Sequence, residues 1–326
     1  MQAVWYDRQG PASEVLQIGD LPDPDPDAGE VRVRNHFSGV NPGDTKKRRG
    51  WLGSSMPYPR VIPHSDGSGV IDAVGADVSR RRLGRRVWVY GAQSYRPYGT
   101  AAQFTVVPSA LAVDLPHSVS DEVGACLGIP GITAHRAVFA DGSVAGATVL
   151  VHGVLGGVAA LAAQLAGWAG ANVIGTVRRT SDLDQVNSPA VAHTVALDQS
   201  EPVAAIRDVA GGGVDRIIEV AFSDNVDLDA AVGKNGTVIA AYASRDDRPD
   251  FPFWPMLFDN MTIRLLGSDD FPITAKEQAA RDLTAAAAEG ALSIAIRNPR
   301  PLAWTAEAHD DVDTGSRNRV LVAIPD

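Results

Sequence analysis

The sequence predicts an α/β protein in which a doubly wound parallel sheet with crossover helices is joined to a second, mostly β domain. Three observations carry this. From about residue 125, apolar strand-like runs alternate with longer helical patterns, the sign of parallel strands linked by helices. Before that, residues 1–122 hold short β-type runs separated by Gly, Pro and Asp. The last run, RVLVAIP at 319–325, returns to strand character and is expected to rejoin the first domain. The expected domains are therefore 1–124 completed by 268–326, and 125–267.

In the first domain the expected strands are EVRVRNHF (30–37), SGVIDAVGADV (68–78), RRVWVYG (85–91) and AQFTVVP (102–108). LPDPDPDAGE at 21–30 reads as an extended, proline-stiffened connection. In the second domain TVLVHG, NVIGTV, HTVAL (193–197), DRIIEVAF (215–222), GTVIAAY (236–242) and TIRLLGS (262–268) are the expected strands. Between the first two lies an alanine-rich helix over 157–169 with Val158, Leu161, Ala162, Leu165 and Ala169 at helical spacing along one face. Gly170 is placed to end it.

The junction of that first strand and helix carries the chemistry. Gly153, Gly156 and Gly157 follow the buried run Val149–Val151, and the helix begins at once. A strand, a tight glycine turn and a helix N-terminus together direct backbone N–H groups at a pyrophosphate. A β-carbon in the turn would obstruct both the bend and the approach of phosphate. Strand, turn, helix and second strand all fall within 147–179, so the pattern reads as a dinucleotide site. Thr176 lies on the second strand, and Val158 opens the helix; both are counted with the glycines as cofactor-binding. That second strand ends in Arg178 and Arg179 rather than in the acid that accepts ribose hydroxyls in NAD sites. Guanidinium groups hold a 2′-phosphate where a carboxylate would repel it, so NADP (as NADPH) is the expected cofactor. The competing reading is a solvated surface pair, with Arg317 or Arg319 holding the phosphate instead.

Composition bounds the rest. A net charge of −10 opposes a general affinity for nucleic acid or anionic membranes. One cysteine, Cys126, rules out an internal disulfide and a four-thiolate zinc site. No apolar run reaches the ~18–20 residues of a membrane span, and MQAVWYDRQGP lacks the pattern of a secretory signal, so a cytoplasmic protein is expected. None of the six tyrosines begins a Tyr-x-x-x-Lys pair. No Gly-x-Ser-x-Gly elbow or Walker loop is present, which argues against hydrolase and kinase readings.

The segments GVNPGDTKKRRG (39–50), RVIPHSDGSGVIDAVG (60–75), GACLGIPGITAHRAV (124–138), VLVHGVLGGVA (149–159) and GTVIAAY (236–242), in this order, give the chain its resemblance. It resembles the medium-chain dehydrogenase/reductase superfamily, and within it the zinc-free quinone oxidoreductases of the zeta-crystallin type. The resemblance implies a GroES-like β domain built from both chain ends, a Rossmann domain and a cofactor cleft between them. In zinc-dependent relatives a catalytic cysteine stands where this chain resembles them at Asn41, and the ligand of a Gly-His-Glu segment falls at Ser65. Amide and hydroxyl are poor replacements for thiolate and imidazole, so no metal site is expected.

The same resemblance implies Asn41 and Asp44 near the nicotinamide and Thr133 at its carboxamide or the adjacent phosphate. Trp51 falls where a cleft aromatic stacks on a flat acceptor, or is an ordinary packed loop residue. Tyr242 follows a strand C-terminus and contacts cofactor or substrate. His64, where glycine is usual, is a proton donor or a structural residue at a domain seam. Further departures are Ala159 for the last glycine of the turn, Gly131-Ile132 for a bulkier pair, Gln103 for an acid, and the aromatic-rich 243–260. The expected activity is zinc-independent NADPH-dependent reduction of an electron-poor small molecule, a quinone or enone. The alternatives are an enoyl reductase of a biosynthetic pathway and a non-catalytic NADPH-binding protein. A homodimer is expected through the sheet edge around Ile263–Leu266, since a bare edge strand invites pairing.

Overall fold

Runs of Val, Ile and Leu bounded by Gly and helical segments fold as a six-stranded parallel sheet. Its order is His193–Ala196, Asn172–Val177, Thr148–Val151, Val214–Glu219, Gly233–Ala241 and Thr262–Leu265. The chain therefore starts in the middle, winds to one edge, returns and winds to the other, which leaves a switch point beside Thr148–Val151. Strands covered on both faces must be apolar throughout, and Leu150, Ile174, Val214, Ile217 and Ile239 form the buried core of this layer. The computed structural model describes residues 1–325.

The chain divides into two compact units, Met1–Pro130 together with the chain from Ile294 onward, and Gly131–Ser293. In the first, the long strand Glu30–Val40 pairs antiparallel with Asp66–Val74, with Phe104–Pro108 and with Val320–Ala323, so the chain's last strand completes the N-terminal sheet. Arg86–Val89 and Ala112–Asp114 extend that sheet on the far side of Asp66–Val74. Val31, Val33, Ile71, Val87, Val89 and Val107 fill its interior.

Two features differ from the sequence reading. The run 215–222 is strand only to Glu219, because the Glu219 carboxylate accepts the Ala221 N–H and turns the chain into helix Phe222–Val232. The helix Ile273–Ala288, expected with the first domain, groups with the second unit. Leu283 packs 3.0 Å from where a β-carbon on Gly131 would lie, and His135 bonds Asp282 at 2.7 Å. Among the described residues no helix is long and apolar enough to cross a membrane.

Candidate functional site

In the second unit the site is built from the glycine turn. Gly153 has φ +64, a left-handed conformation that favours glycine. Gly156 is the N-cap of helix Gly157–Trp168 and supplies no side-chain acceptor, so the first-turn N–H groups remain available to an anion. The turn is fastened from below. Val154 donates to the Thr176 carbonyl at 3.1 Å, and Gly153 N donates to the Thr176 hydroxyl at 3.3 Å. That hydroxyl also meets His152 Nδ1 at 2.9 Å, while His152 Nε2 meets Asp229 Oδ1 at 2.9 Å and lies 3.6 Å from Glu219 Oε2.

All four of these side chains are buried. Burial alone would push the His152 imidazole down, but Asp229 and Glu219 outweigh it and hold it above the ordinary histidine value. Burial lifts Glu219 in the opposite sense, away from the charged form. A charge placed here must be paired, and the histidine between two carboxylates does that. This network was not anticipated from sequence; its visible signal was a histidine ending a buried strand at the glycine turn.

Thr176 thus holds the turn with its hydroxyl and has no exposed surface. Val158 is half-buried at the helix start. Arg178 and Arg179 emerge just past strand Asn172–Val177, exposed, with no side-chain hydrogen bond or ion pair among the described residues. Tyr242 follows Gly233–Ala241, half-buried, with its N–H on the Glu219 carbonyl at 3.1 Å. Burial and the nearby Glu219 push its phenol well above the ordinary value. Thr133 is buried in helix Ile129–Phe139.

In the first unit Asn41 caps helix Pro42–Arg49, with Pro42 at the first helical position. Its backbone N–H donates to Asp44 Oδ2 at 2.8 Å and its Nδ2 donates to Asp66 Oδ2 at 2.6 Å. Ile129 N donates to the other Asp66 oxygen at 2.8 Å, and Arg319 Nη2 lies 3.9 Å from Oδ2. Gly128 is required beside this carboxylate, since a β-carbon there would run into Asp66. Burial, then the Asp66 charge, push the Asp44 carboxyl up to about 7; Lys47, the Asn41 N–H and Arg319 offset this only in part. Trp51 is 47% exposed with Lys46 Nζ 4.3 Å from its ring, which removes the reading of a packed loop tryptophan.

His64 sits at φ +77, fully buried, with Nδ1 2.7 Å from Ser38 Oγ and Nε2 2.9 Å from His309 Nε2. One Nε2 must donate to the other, so the accepting ring is neutral. Burial, aided by Arg319, holds His64 down to about 3, and burial then His64 itself lowers His309. With no exposed surface, His64 is a buried structural residue rather than a surface proton donor.

The N-terminal segment 27–117 matches the alcohol dehydrogenase GroES-like domain. Over 311 residues the chain is 33% identical to human quinone oxidoreductase, covering 93% of this chain and 91% of that protein. Its fold is similar to that of AibC (TM-score 0.88, 23% identity, 100% and 96% of the two chains). It is also similar to a mycobacterial protein solved in complex with NADPH (TM-score 0.83, 24% identity, 100% of both). The fold and these likenesses define an oxidoreductase of the medium-chain dehydrogenase/reductase class. Within that class the chain belongs to the zeta-crystallin-like quinone oxidoreductase family.

The paired histidines yield a prediction. Below pH 6.5 the unfolded chain protonates both imidazoles, whereas the folded state keeps His64 neutral down to about pH 3 and lowers His309 as well. Their contribution to stability is therefore full above pH 6.5 and is lost as pH falls through that window. Melting temperature should drop from pH 6.5 to pH 4, and less steeply in His64→Asn, which tolerates the left-handed backbone. Equal slopes in the two proteins would refute this role.

Proposed function

We propose that this protein is an NADPH-dependent reductase that delivers hydride to quinones or related conjugated carbonyls without a metal ion. The observation that carries the cofactor choice is the pair Arg178 and Arg179, unengaged and exposed at the end of the strand following the glycine turn. The turn itself fits a pyrophosphate, with the N–H groups of Gly157 and Val158 at the helix start and no capping side chain in their way. The human relative's name and the NADPH in the mycobacterial neighbour support the same reading. When bound, the reduced nicotinamide supplies the hydride.

The zinc of the family's metal-dependent branch does not fit this donor set. Asn41 offers an amide already spent on Asp66, and Ser65 a hydroxyl. Without an ion to stabilise an alkoxide, electron-poor acceptors are favoured over simple alcohols. In this reading Asn41 and Asp44 act on the acceptor, Trp51 offers it an exposed ring, Thr133 and Tyr242 contact the cofactor, and Thr176 keeps the turn in shape. The division of labour follows the sequence expectation, with a catalytic unit built from both chain ends and a cofactor-binding unit between them.

We also propose a homodimer. Thr262–Leu265 is the outermost strand of its sheet, with Leu265 75% exposed. Phe253, Trp254 and Phe258 on helix Phe253–Phe258 are exposed as well, an apolar surface that a second copy would cover.

The reaction is tested with NADPH deuterated at C4 and chelator-treated protein. Deuterium should appear at carbon in reduced enones, quinone reduction should be slowed by the label, and saturated ketones should take up none; transfer to saturated ketones alone, or activity lost to chelation, would overturn the assignment. Cofactor choice is tested by replacing Arg178 and Arg179 together with alanine. Affinity for NADPH should fall roughly tenfold while that for NADH is nearly unchanged. An unaltered preference would make the pair ordinary surface residues.

A further inference from the structure

Two buried carboxylates in the first unit share one asparagine, and their surroundings differ. Asp66 receives Asn41 Nδ2 at 2.6 Å and Ile129 N at 2.8 Å, with the Arg319 guanidinium 3.9 Å away. That is a setting for an ionised carboxylate: two donors and a cation. Asp44 receives one N–H, from Asn41, at 2.8 Å. Its other oxygen makes no hydrogen bond among the described residues, and the residue keeps 4% of its surface exposed. Two carboxylates this close in a low-dielectric setting do not both ionise readily, and the proton goes to the one with fewer donors.

We infer that the Asp44 carboxylic acid donates the proton that completes reduction of the acceptor. This rests on the reductase reading above and assigns a step which that reading leaves to the solvent. When hydride reaches an enone carbon, its electron pair forms the new C–H bond and the displaced π electrons move onto oxygen as an enolate. The Asp44 O–H bond then breaks as the proton joins the enolate, and the carboxylate left behind recovers a proton from water. One hydride and one proton are consumed and NADP⁺ is released, so atoms and charge balance. For a quinone, the same proton neutralises the first hydroquinone oxyanion.

The charged and titratable groups around Asp44 are Asp66, Lys47, Arg319 and Tyr6. Burial and Asp66 raise its pKa to about 7, and Lys47 and Arg319 do not cancel this. The acid form is therefore present at and below neutral pH and disappears as pH rises through that value. A general acid of this kind contributes roughly 10²-fold to rate when its proton is needed in the transition state.

Infrared difference spectroscopy of the cofactor-free protein gives a readout independent of turnover. At pH 6 the wild type minus Asp44→Asn difference should show a protonated-carboxyl C=O band that vanishes as pH is raised past 7, any band of the buried Glu219 being common to both proteins. Asp44→Glu, which keeps an acid and moves it, should shift the band rather than delete it. With NADPH, enone reduction by the wild type should fall above pH 7. In Asp44→Asn that limb should disappear, with kcat about 10²-fold lower and KM little changed. A tetrahalogenated quinone, whose reduced anion is weakly basic, should lose much less. If Asp44→Asn does not fold, the shift of the band in Asp44→Glu decides, since a band from the buried Glu219 would not move. A carboxyl already ionised at pH 6, a limb that persists in Asp44→Asn, or equal losses with both acceptors would overturn the assignment. A wild type that reduces no acceptor would overturn the reductase reading and this step with it; a fully active Asp44→Asn would overturn this step alone.

Discussion

A charge taken out of water must find a partner, and the second unit depends on how it meets that constraint. His152 lies between Asp229 and Glu219, and its other nitrogen meets the Thr176 hydroxyl. The same hydroxyl takes the Gly153 N–H, so the ion cluster and the glycine turn are one connected object. Removing the histidine would leave two buried carboxylates facing each other, at a cost of several kcal/mol. The left-handed Gly153 and the uncapped helix start are thereby held in the shape that an anion requires.

The first unit uses the same constraint differently. Asn41, Asp66 and Arg319 form a set in which one carboxylate is well supplied with donors while Asp44 is poorly supplied. Strand Val320–Ala323, paired with Glu30–Val40, brings Arg319 to this set, which is why the chain's end belongs with its beginning. The cluster in the second unit balances its charges to fix a backbone, whereas this set leaves one carboxyl out of balance, the state an acid needs.

Much of this was legible in the sequence. The strands of the parallel sheet announced themselves as short apolar runs, and the glycines stood where strand met helix, so it was local pattern that singled out Gly153, Gly156, Gly157, Arg178 and Arg179 as candidates. Val214–Glu219 was read too long, because Ala221 and Phe222 continue the apolar run and only the Glu219 side chain ends the strand. The helix Ile273–Ala288 was assigned to the wrong unit for a similar reason: its partner Gly131 is more than a hundred residues away, and nothing local marks that contact. Asn41 and Asp44 became candidates through family likeness. The links from Asn41 to Asp66, from Thr176 to His152 and from His64 to His309 join residues 25, 24 and 245 positions apart, and no periodicity reports such pairs.

The central claim is that the glycine turn, held by the buried histidine network, is the cofactor cradle. Thr176→Val tests it most directly, because it removes one hydroxyl from that connection while nearly preserving volume. Calorimetric titration with NADPH should show one site per chain in the wild type. In the variant the same stoichiometry should persist with affinity weakened by roughly tenfold, because the turn loses both hydrogen bonds of that hydroxyl. Equal affinities in the two proteins, or no binding to the wild type, would contradict the account.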